Sequence, residues 1–274
     1  MAQAIRSWLF TPGTRPDRFK KAREARADVL IIDLEDAVAP AEKSSARTAV
    51  LDYLEIPHTS GMAYAIRING LDTPDGLGDL QALIERGAKP DFVVLPKTES
   101  ADHLVILDRL LTRAGSDAHL VGLIESARGL AAVDAIAAAT PRLFGLMLGA
   151  ADMAADLGVG PEWEGLSYAR GRLVAACANA RIAAIDSPYF SVRDKRGLNY
   201  EVKRSIGMGF VAKAAIHPDQ IEPINKALTP SDEDVEKARA ILVENEKGVG
   251  VVDGQMIDEA VARKARRVLA AVGG

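Results

Sequence analysis

Two stretches carry the most information about the fold: Leu120-Val121-Gly122-Leu123-Ile124-Glu125 and Gly145-Leu146-Met147-Leu148-Gly149-Ala150-Ala151-Asp152. Each is an unbroken apolar run of strand length that leads to a carboxylate. A strand without polar alternation is buried on both faces, as in a parallel sheet covered by helices. Six further runs of this kind flank the pair, at residues 7–11, 29–33, 63–68, 92–95, 182–186 and 210–215. The segments between them are rich in Ala, Arg and Glu at helical spacing, most clearly at 18–26, 74–86, 101–114, 129–139 and 168–180. Successive strand ends lie 22 to 38 residues apart, in step with a βα unit of about 30 residues. Eight such units predict a (β/α)8 TIM barrel, whose usual length is about 250 residues. A doubly wound open sheet would place a Gly-rich phosphate turn after its first strand, and Thr11-Pro12-Gly13-Thr14-Arg15-Pro16 is a poor match to one.

Beyond the eighth strand the chain changes character. Residues 231–246 read as a helix with Ser231 as N-cap and Asp234 at the third position. Gly248-Val249-Gly250 breaks that pattern, and 251–272 holds Asp253-Gly254-Gln255-Met256-Ile257-Asp258 followed by a basic helix. The expected division is a barrel over 1–228 and a helical extension over 229–274, a candidate lid or inter-subunit arm.

The chain has 274 residues, 48% of them hydrophobic and 26% charged, which fits a folded globular protein. A domain of this size buries roughly 75% of its unfolded surface. The formal net charge of −4 gives no basic surplus for nucleic acid or acidic membranes. The single cysteine, Cys177, excludes an intramolecular disulfide and suits a reducing compartment. No apolar run approaches the ~20 residues of a membrane span. Met1-Ala2-Gln3-Ala4-Ile5-Arg6 lacks the layout of a signal peptide, so the cytoplasm is the expected location.

Functional groups of a parallel α/β barrel gather at the C-terminal ends of its strands. Those ends present Arg15, Asp33, Glu35, Asp36, Arg67, Asn69, Lys97, Glu125, Asp152, Asp156, Asp186 and Lys213. His58, His103 and His119 fall in loops or helices and only His217 near a strand end, so serine-hydrolase and histidine–metal readings have little support. Glu125 and Asp152 are 27 residues apart, on adjacent strands. Two carboxylates there repel unless a cation lies between them, and an oxygen site with few protein ligands suits Mg²⁺. Alternatively each carboxylate caps the following helix or pairs with Arg67 or Lys97. Arg67, a guanidinium among apolar strand residues, suits a substrate carboxylate or a developing enolate; pairing with Glu35 or Asp36 is the structural alternative. At least one carboxylate of Asp33-Leu34-Glu35-Asp36 is expected to fix Arg67 or Lys97, with others free to hold metal-bound water. Lys97 and Lys213 could equally form ordinary inter-strand ion pairs, and Asp186 either stands behind the reacting groups or caps the loop toward Pro188.

These strand-end residues resemble the HpcH/HpaI aldolase/citrate lyase family, in particular its citrate lyase β-subunit-like proteins. The matching stretches include Arg6-Ser7-Trp8-Leu9-Phe10-Thr11-Pro12-Gly13, Asp33-Leu34-Glu35-Asp36-Ala37-Val38, Arg67-Ile68-Asn69-Gly70 and Leu95-Pro96-Lys97-Thr98-Glu99-Ser100. Ile124-Glu125-Ser126-Ala127-Arg128-Gly129, Gly149-Ala150-Ala151-Asp152-Met153, Ala215-Ile216-His217-Pro218 and Gly254-Gln255-Met256-Ile257-Asp258 continue the match in order. The resemblance implies a Mg²⁺-dependent barrel that cleaves or forms a C–C bond in a 3-hydroxy-acyl thioester such as citryl-, malyl- or citramalyl-CoA. It implies Glu125 and Asp152 as metal ligands and Arg67 as the substrate-binding arginine. Asp258 becomes a lid aspartate serving a neighbouring subunit's site, and Phe10 and Lys21 contacts to the thioester. Arg15 and Arg18 are added candidates for CoA phosphates, and Glu35, Asp36 and Lys97 lie behind the reacting groups. The partners implied are an acyl-CoA, a 2-oxo acid and further copies of the chain, as a trimer or a multiple of trimers.

The sequence departs from the family pattern at Ala215, where Cys is frequent, at Ala212, where Gly is common, and at Ala260, where Pro is frequent. The first two read as packing changes, and the third would loosen the lid helix. Thioester hydrolysis at the same site and a non-catalytic CoA-ligand scaffold are the competing readings. The pyruvate-dependent aldolase branch carries Glu-His after its early strand, where this chain has Glu35-Asp36.

Overall fold

The computed structural model describes residues 4–56, 61–246, 250–252 and 255–272. His58, Gly248, Val249, Asp253 and Gly254, all considered above, lie outside the described residues. The chain divides into two compact units, Ser7–Ile224 and Met1–Arg6 with Asn225–Gly274.

The larger unit is a closed parallel barrel of eight strands in sequential order. They are β1 (Ser7–Pro12), β2 (Val29–Asp33), β3 (Ala63–Arg67), β4 (Phe92–Leu95), β5 (His119–Ile124), β6 (Leu143–Leu148), β7 (Ala183–Asp186) and β8 (Ala212–Ala215). β1 pairs with both β2 and β8, which closes the ring. The helices between them are α1 (Phe19–Glu24), α2 (Lys43–Glu55), α3 (Pro74–Arg86), α4 (Ala101–Arg113), α5 (Ala127–Ala131), α6 (Val133–Ala137), α7 (Ala150–Leu157), α8 (Ser167–Ala180) and α9 (Lys195–Met208). Their starts follow local chemistry. Thr73 and Ser100 accept hydrogen bonds from the first-turn N–H groups of α3 and α4, and Pro74 supplies a fixed φ at the first position of α3. The single helix expected over 129–139 is instead two short ones, α5 and α6, separated at Ala132, whose φ of −94° and ψ of 4° leave the helical region.

The lower end of the barrel is filled by aromatic side chains. Trp8 is fully buried; its ring lies 4.9 Å from Phe92 and 5.8 Å from Phe144. β1, β4 and β6 are not neighbours in the sheet, so these rings meet across the barrel axis. They sit at the first or second residue of their strands and close the end opposite the strand termini that carry the polar groups.

The second unit contains the end of α10 (Ile221–Leu228), α11 (Asp232–Asn245), β9 (Gly250–Val252), β10 (Gln255–Ile257) and α12 (Glu259–Ala271). Ser231 and Asp234 form the reciprocal capping box expected at the start of α11. β9 and β10 form an antiparallel pair, with Val252 opposite Gln255, a hairpin the sequence reading did not foresee. Its small core joins Ala238 and Ile241 of α11 to Ile257 and Ala265. No helix of the described residues is long and apolar enough to cross a membrane.

Candidate active site

The register of the barrel brings the charged groups together. Asp33 stands directly opposite Arg67 across β2 and β3, and their side chains form a two-pronged pair, with Nε to Oδ1 and Nη2 to Oδ2 both 2.6 Å. Asp33 is itself fixed by the main-chain N–H groups of Glu35 and Ala37, at 2.9 and 3.2 Å. The carboxylate that locks Arg67 in a fork is thus Asp33, one of the three after β2 expected to fix Arg67 or Lys97, and not Glu35 or Asp36, the structural pair that the sequence suggests. Glu35 lies second: its Oε2 is 2.8 Å from Nη1 of Arg67 but accepts no hydrogen bond, so that contact is Coulombic. Asp36 is exposed and lies 3.8 Å from Lys97 Nζ. Burial opposes the charge of Arg67, yet its bonds to Asp33 and the charges of Asp33 and Glu35 hold it protonated above its ordinary range. The guanidinium also lies over the ring of Phe10, 5.1 Å from its centroid.

Glu125 and Asp152 come from adjacent strands because Ile124 pairs with Leu148. That register puts Glu125 beside Gly149, where a Cβ would overlap the Glu125 carboxylate, so only glycine lets the acid lie against the start of α7. Glu125 is 3% exposed, and its Oε1 accepts the main-chain N–H of Lys97 at 2.7 Å. To offer that N–H, Lys97 adopts φ +46°, a conformation that costs a non-glycine residue of order 1 kcal/mol. The Lys97 side chain turns the other way and pairs with Glu35. Burial raises the Glu35 carboxyl, against the pull of Arg67 and Lys97.

Among the described residues no cation pairs with Glu125. Desolvation first, then the neighbouring charges of Glu35 and Asp152, push its carboxyl up to about 8, against the Lys97 N–H and Arg67. Asp152 is exposed, in the first turn of α7. Among the described residues no group of three or more His, Cys, Asp or Glu could hold a metal, so a metal held by Glu125 and Asp152 would need its other ligands from water or substrate. An under-compensated buried acid beside an exposed one, cradled by a glycine, fits a hard divalent ion with few protein ligands.

Arg67, Glu125, Asp33, Asp36 and Asp152 line one cavity of about 420 Å³, with Phe10, Arg18, Pro188 and Phe190 around them. A second hollow, about 980 Å³, adjoins it through Phe10, Thr11, Pro12, Arg18 and Ile216 and is lined further by Arg15, Lys21, Lys195 and His217. Lys21 and Arg18 are exposed there. Arg15 is engaged by Asp17 through two 2.8 Å bonds, so it offers less to an anion than its position suggested. Asp258 belongs to the smaller unit, where it N-caps α12 by accepting Val261 N–H at 2.9 Å.

Sequence reasoning missed three supports. Lys43 donates to the carbonyls of Leu34 and Glu35 at 3.0 Å and to Asn69 Oδ1 at 2.6 Å, and Asn69 is in turn held by Asp79. Gly149 and the main-chain N–H of Lys97 are the others, and neither has a side-chain signature. Lys213 and Asp186 do form an inter-strand pair, at 2.7 Å, but within a larger buried cluster that adds Arg170 and Glu201. Asp156 accepts the Ala127 N–H and caps α5.

The chain matches the family described as HpcH/HpaI aldolase/citrate lyase over residues 6–218. It is 35% identical to the L-malyl-CoA/beta-methylmalyl-CoA lyase of Cereibacter sphaeroides, covering 98% of this chain and 94% of that protein. It is also 35% identical to citrate lyase subunit beta of Leuconostoc mesenteroides, over 96% of this chain and 92% of the relative. Among solved structures, RipC from Yersinia pestis is 52% identical with a TM-score of 0.76, over 86% of this chain and all of that one. CitE from Mycobacterium tuberculosis, solved in complex with magnesium, acetoacetate and coenzyme A, is 34% identical with a TM-score of 0.83 over the whole of both chains.

Proposed function

The chain belongs to the HpcH/HpaI aldolase/citrate lyase family, and from that premise we propose that it is a magnesium-dependent carbon–carbon lyase. Its substrate is a 3-hydroxy-carboxyacyl-CoA such as citramalyl-, malyl- or citryl-CoA, and its products are acetyl-CoA or another acyl-CoA and a 2-oxo acid. The observation that carries this reading is the buried Glu125, with no paired cation among the described residues, sharing one cavity with Asp152 and the Asp33-anchored Arg67.

Glu125 and Asp152 hold the metal, and Glu35, Asp36 and Lys97 stand behind them. Magnesium, when bound, supplies Lewis-acid polarisation of the substrate's hydroxyl and carboxylate oxygens, worth several kcal/mol. Arg67 keeps N–H groups beyond those given to Asp33 and faces the oxygen where enolate charge develops on the acyl half. The fork to Asp33 and the contact with Glu35 keep the guanidinium from following the substrate, so its charge is already in place when the bond breaks. In cleavage the C–C electron pair passes to the acyl α-carbon, and the hydroxyl oxygen becomes the keto oxygen as its proton passes to solvent water, matching the proton that Asp258 gives to the α-carbon and later regains from water. Asp258, reaching the site of a neighbouring subunit, gives a proton to the α-carbon in cleavage and takes it in condensation. Phe10 and Lys21, with Arg15 and Arg18 at the edge, receive the thioester arm along the outer hollow. The assembly is then a homotrimer or a multiple of trimers in the cytoplasm, with residues 229–274 as the lid.

The test is a panel of malyl-, citramalyl-, methylmalyl- and citryl-CoA with Mg²⁺, read by mass spectrometry. Acyl-CoA plus a 2-oxo acid is the expected outcome. Free CoA with an intact hydroxy acid would replace lyase by thioester hydrolysis, and binding without turnover would make the chain a CoA-ligand scaffold.

A further inference from the structure

Five residues border both the inner cavity and the outer hollow: Phe10, Thr11, Pro12, Arg18 and Ile216. The first three end β1, and Ile216 directly follows β8. These two strands are paired with Leu9 opposite Ala215, so Phe10 and Ile216 border the passage between the two hollows where the strands run out. Pro188 and Phe190, on the loop after β7, line the inner cavity as well.

One side chain joins the loop after β7 to the turn after β8. Gln220 is 1% exposed; its Oε1 accepts the Ile216 N–H at 2.9 Å, and its Nε2 donates to the Tyr189 carbonyl at 2.7 Å. An amide suits that pair of bonds, because it carries an acceptor and a donor at the end of one arm, whereas an ionised carboxylate has no donor. The backbone beneath it is fixed. His217 Nδ1 accepts the Asp219 N–H at 3.2 Å, the Gln220 N–H returns to the His217 carbonyl at 3.0 Å, and the next residue, Ile221, is fully buried. The near end of the loop after β7 is held from the buried cluster, where Lys213 Nζ donates to the Ser187 carbonyl at 2.7 Å and pairs with Asp186 and Glu201. Pro188 therefore stands between two anchors, and Phe190 follows the second.

We propose that Gln220 is a positioning residue for the thioester. By holding the Ile216 main chain and the loop of Pro188 and Phe190 in one arrangement, its amide fixes the passage through which the thioester end of the substrate reaches Arg67. The inference rests on the lyase reading above and adds a residue to it. The groups assigned to the metal and the enolate stand at or just beyond the ends of β2, β3, β5 and β6, whereas Gln220 acts on the loops after β7 and β8. Without the amide, the part-buried Ile216 N–H and Tyr189 carbonyl turn to water and the two loops loosen. Misplacing a reacting group by ~1 Å costs about a hundredfold in rate, so a tie far from the metal governs how often the acyl end is presented correctly.

The test is Gln220→Met, close in size and without the donor, assayed in Mg²⁺ with whichever of malyl-, citramalyl-, methylmalyl- and citryl-CoA the parent chain cleaves. KM for the thioester is expected to rise about fivefold and kcat/KM to fall about thirtyfold, while Mg²⁺ affinity by calorimetry stays within about twofold. An unchanged KM, or Mg²⁺ affinity falling in step with kcat/KM, overturns the proposal. Should Gln220→Met fail to fold, Gln220→Glu keeps the length and the acceptor and loses only the donor to Tyr189; the same rise in KM is expected, and its absence overturns the tie. Tyr189→Phe removes the 2.8 Å hydroxyl bond to Asp194 but leaves the Tyr189 carbonyl on Gln220, so KM should stay within about twofold. A rise matching that of Gln220→Met would hand the effect to the loop's own side-chain anchor and overturn the role of the amide. If the parent chain cleaves none of the four thioesters, the lyase reading fails instead, and calorimetry of coenzyme A tests the amide by itself. Gln220→Met is then expected to weaken coenzyme A about fivefold, and equal affinity overturns the positioning role.

Discussion

Two buried ionic clusters stand at the same end of the barrel, and they differ in how completely their charge is matched. On β7 and β8, Asp186 is fully buried and receives Lys213 at 2.7 Å and Arg170 at 3.0 Å, with Glu201 closing the group. Burial pushes the Asp186 carboxyl up, but the two cations more than offset it and hold it below its usual range. Just past β5, Glu125 is almost as buried, yet it has one main-chain N–H and two carboxylate neighbours, and it is pushed up to about 8. Burial alone therefore does not mark a working site. The difference is compensation: the first cluster is finished and fixes a loop, while the second is short of positive charge and opens onto a cavity.

The sharpest way to break that contrast is to neutralise each acid. Glu125→Gln is expected to lower turnover by about a thousandfold, the order of the Lewis-acid contribution it supports, and to abolish Mg²⁺ binding by calorimetry without lowering the melting temperature of the metal-free protein. A fall of several degrees on that substitution would place Glu125 with the structural cluster. Lys213→Met should do the opposite. It leaves Asp186 buried with one partner fewer and is expected to cost about 3–5 kcal/mol, read as a fall of roughly 6–20 °C in melting temperature.

Opposite pH responses provide a finer discrimination. The Glu125 carboxyl is raised from 4.5 to about 8, so between those values the folded chain keeps a proton that the unfolded chain has released. Its contribution to the stability of the metal-free protein is complete below about pH 4.5 and is lost as pH rises through 8. Mg²⁺ competes with that proton, so its affinity should rise about tenfold per pH unit up to about pH 8. Asp186, lowered from 3.8, contributes stability above that value that is lost only as pH falls through its folded-state range. Melting curves of metal-free protein from pH 5 to 8.5 should therefore decline, and saturating Mg²⁺ should level them; level curves without metal would remove the distinction. The smallest expected effect is at Lys97. Lys97→Gly keeps the N–H on Glu125 and relieves the left-handed backbone, so Mg²⁺ affinity should stay within about threefold while stability changes by no more than about 1 kcal/mol.

Much of this arrangement was legible in the chain. The barrel follows from eight apolar runs, because strands covered on both faces have no polar phase to hide them; 29–33 and 92–95 were placed to the residue. Charged groups at strand ends were legible for the same reason, since nothing else interrupts those runs. The β9–β10 hairpin was not, because three-residue strands are too short to show alternation. The choice of Asp33 over Glu35 and Asp36 as the fork for Arg67 was set by strand register, which three adjacent carboxylates in a sequence do not reveal. The Lys97 main-chain N–H and the space at Gly149 carry no side-chain signal at all.

The crossing of Trp8, Phe92 and Phe144 through the barrel axis makes the barrel a vessel with one opening. Whatever lies deepest in it must leave by the end from which it entered. If the thioester arm lies along the outer hollow, as proposed, the two products leave through the same mouth, and the slower of the two exits would set the pace of the whole cycle.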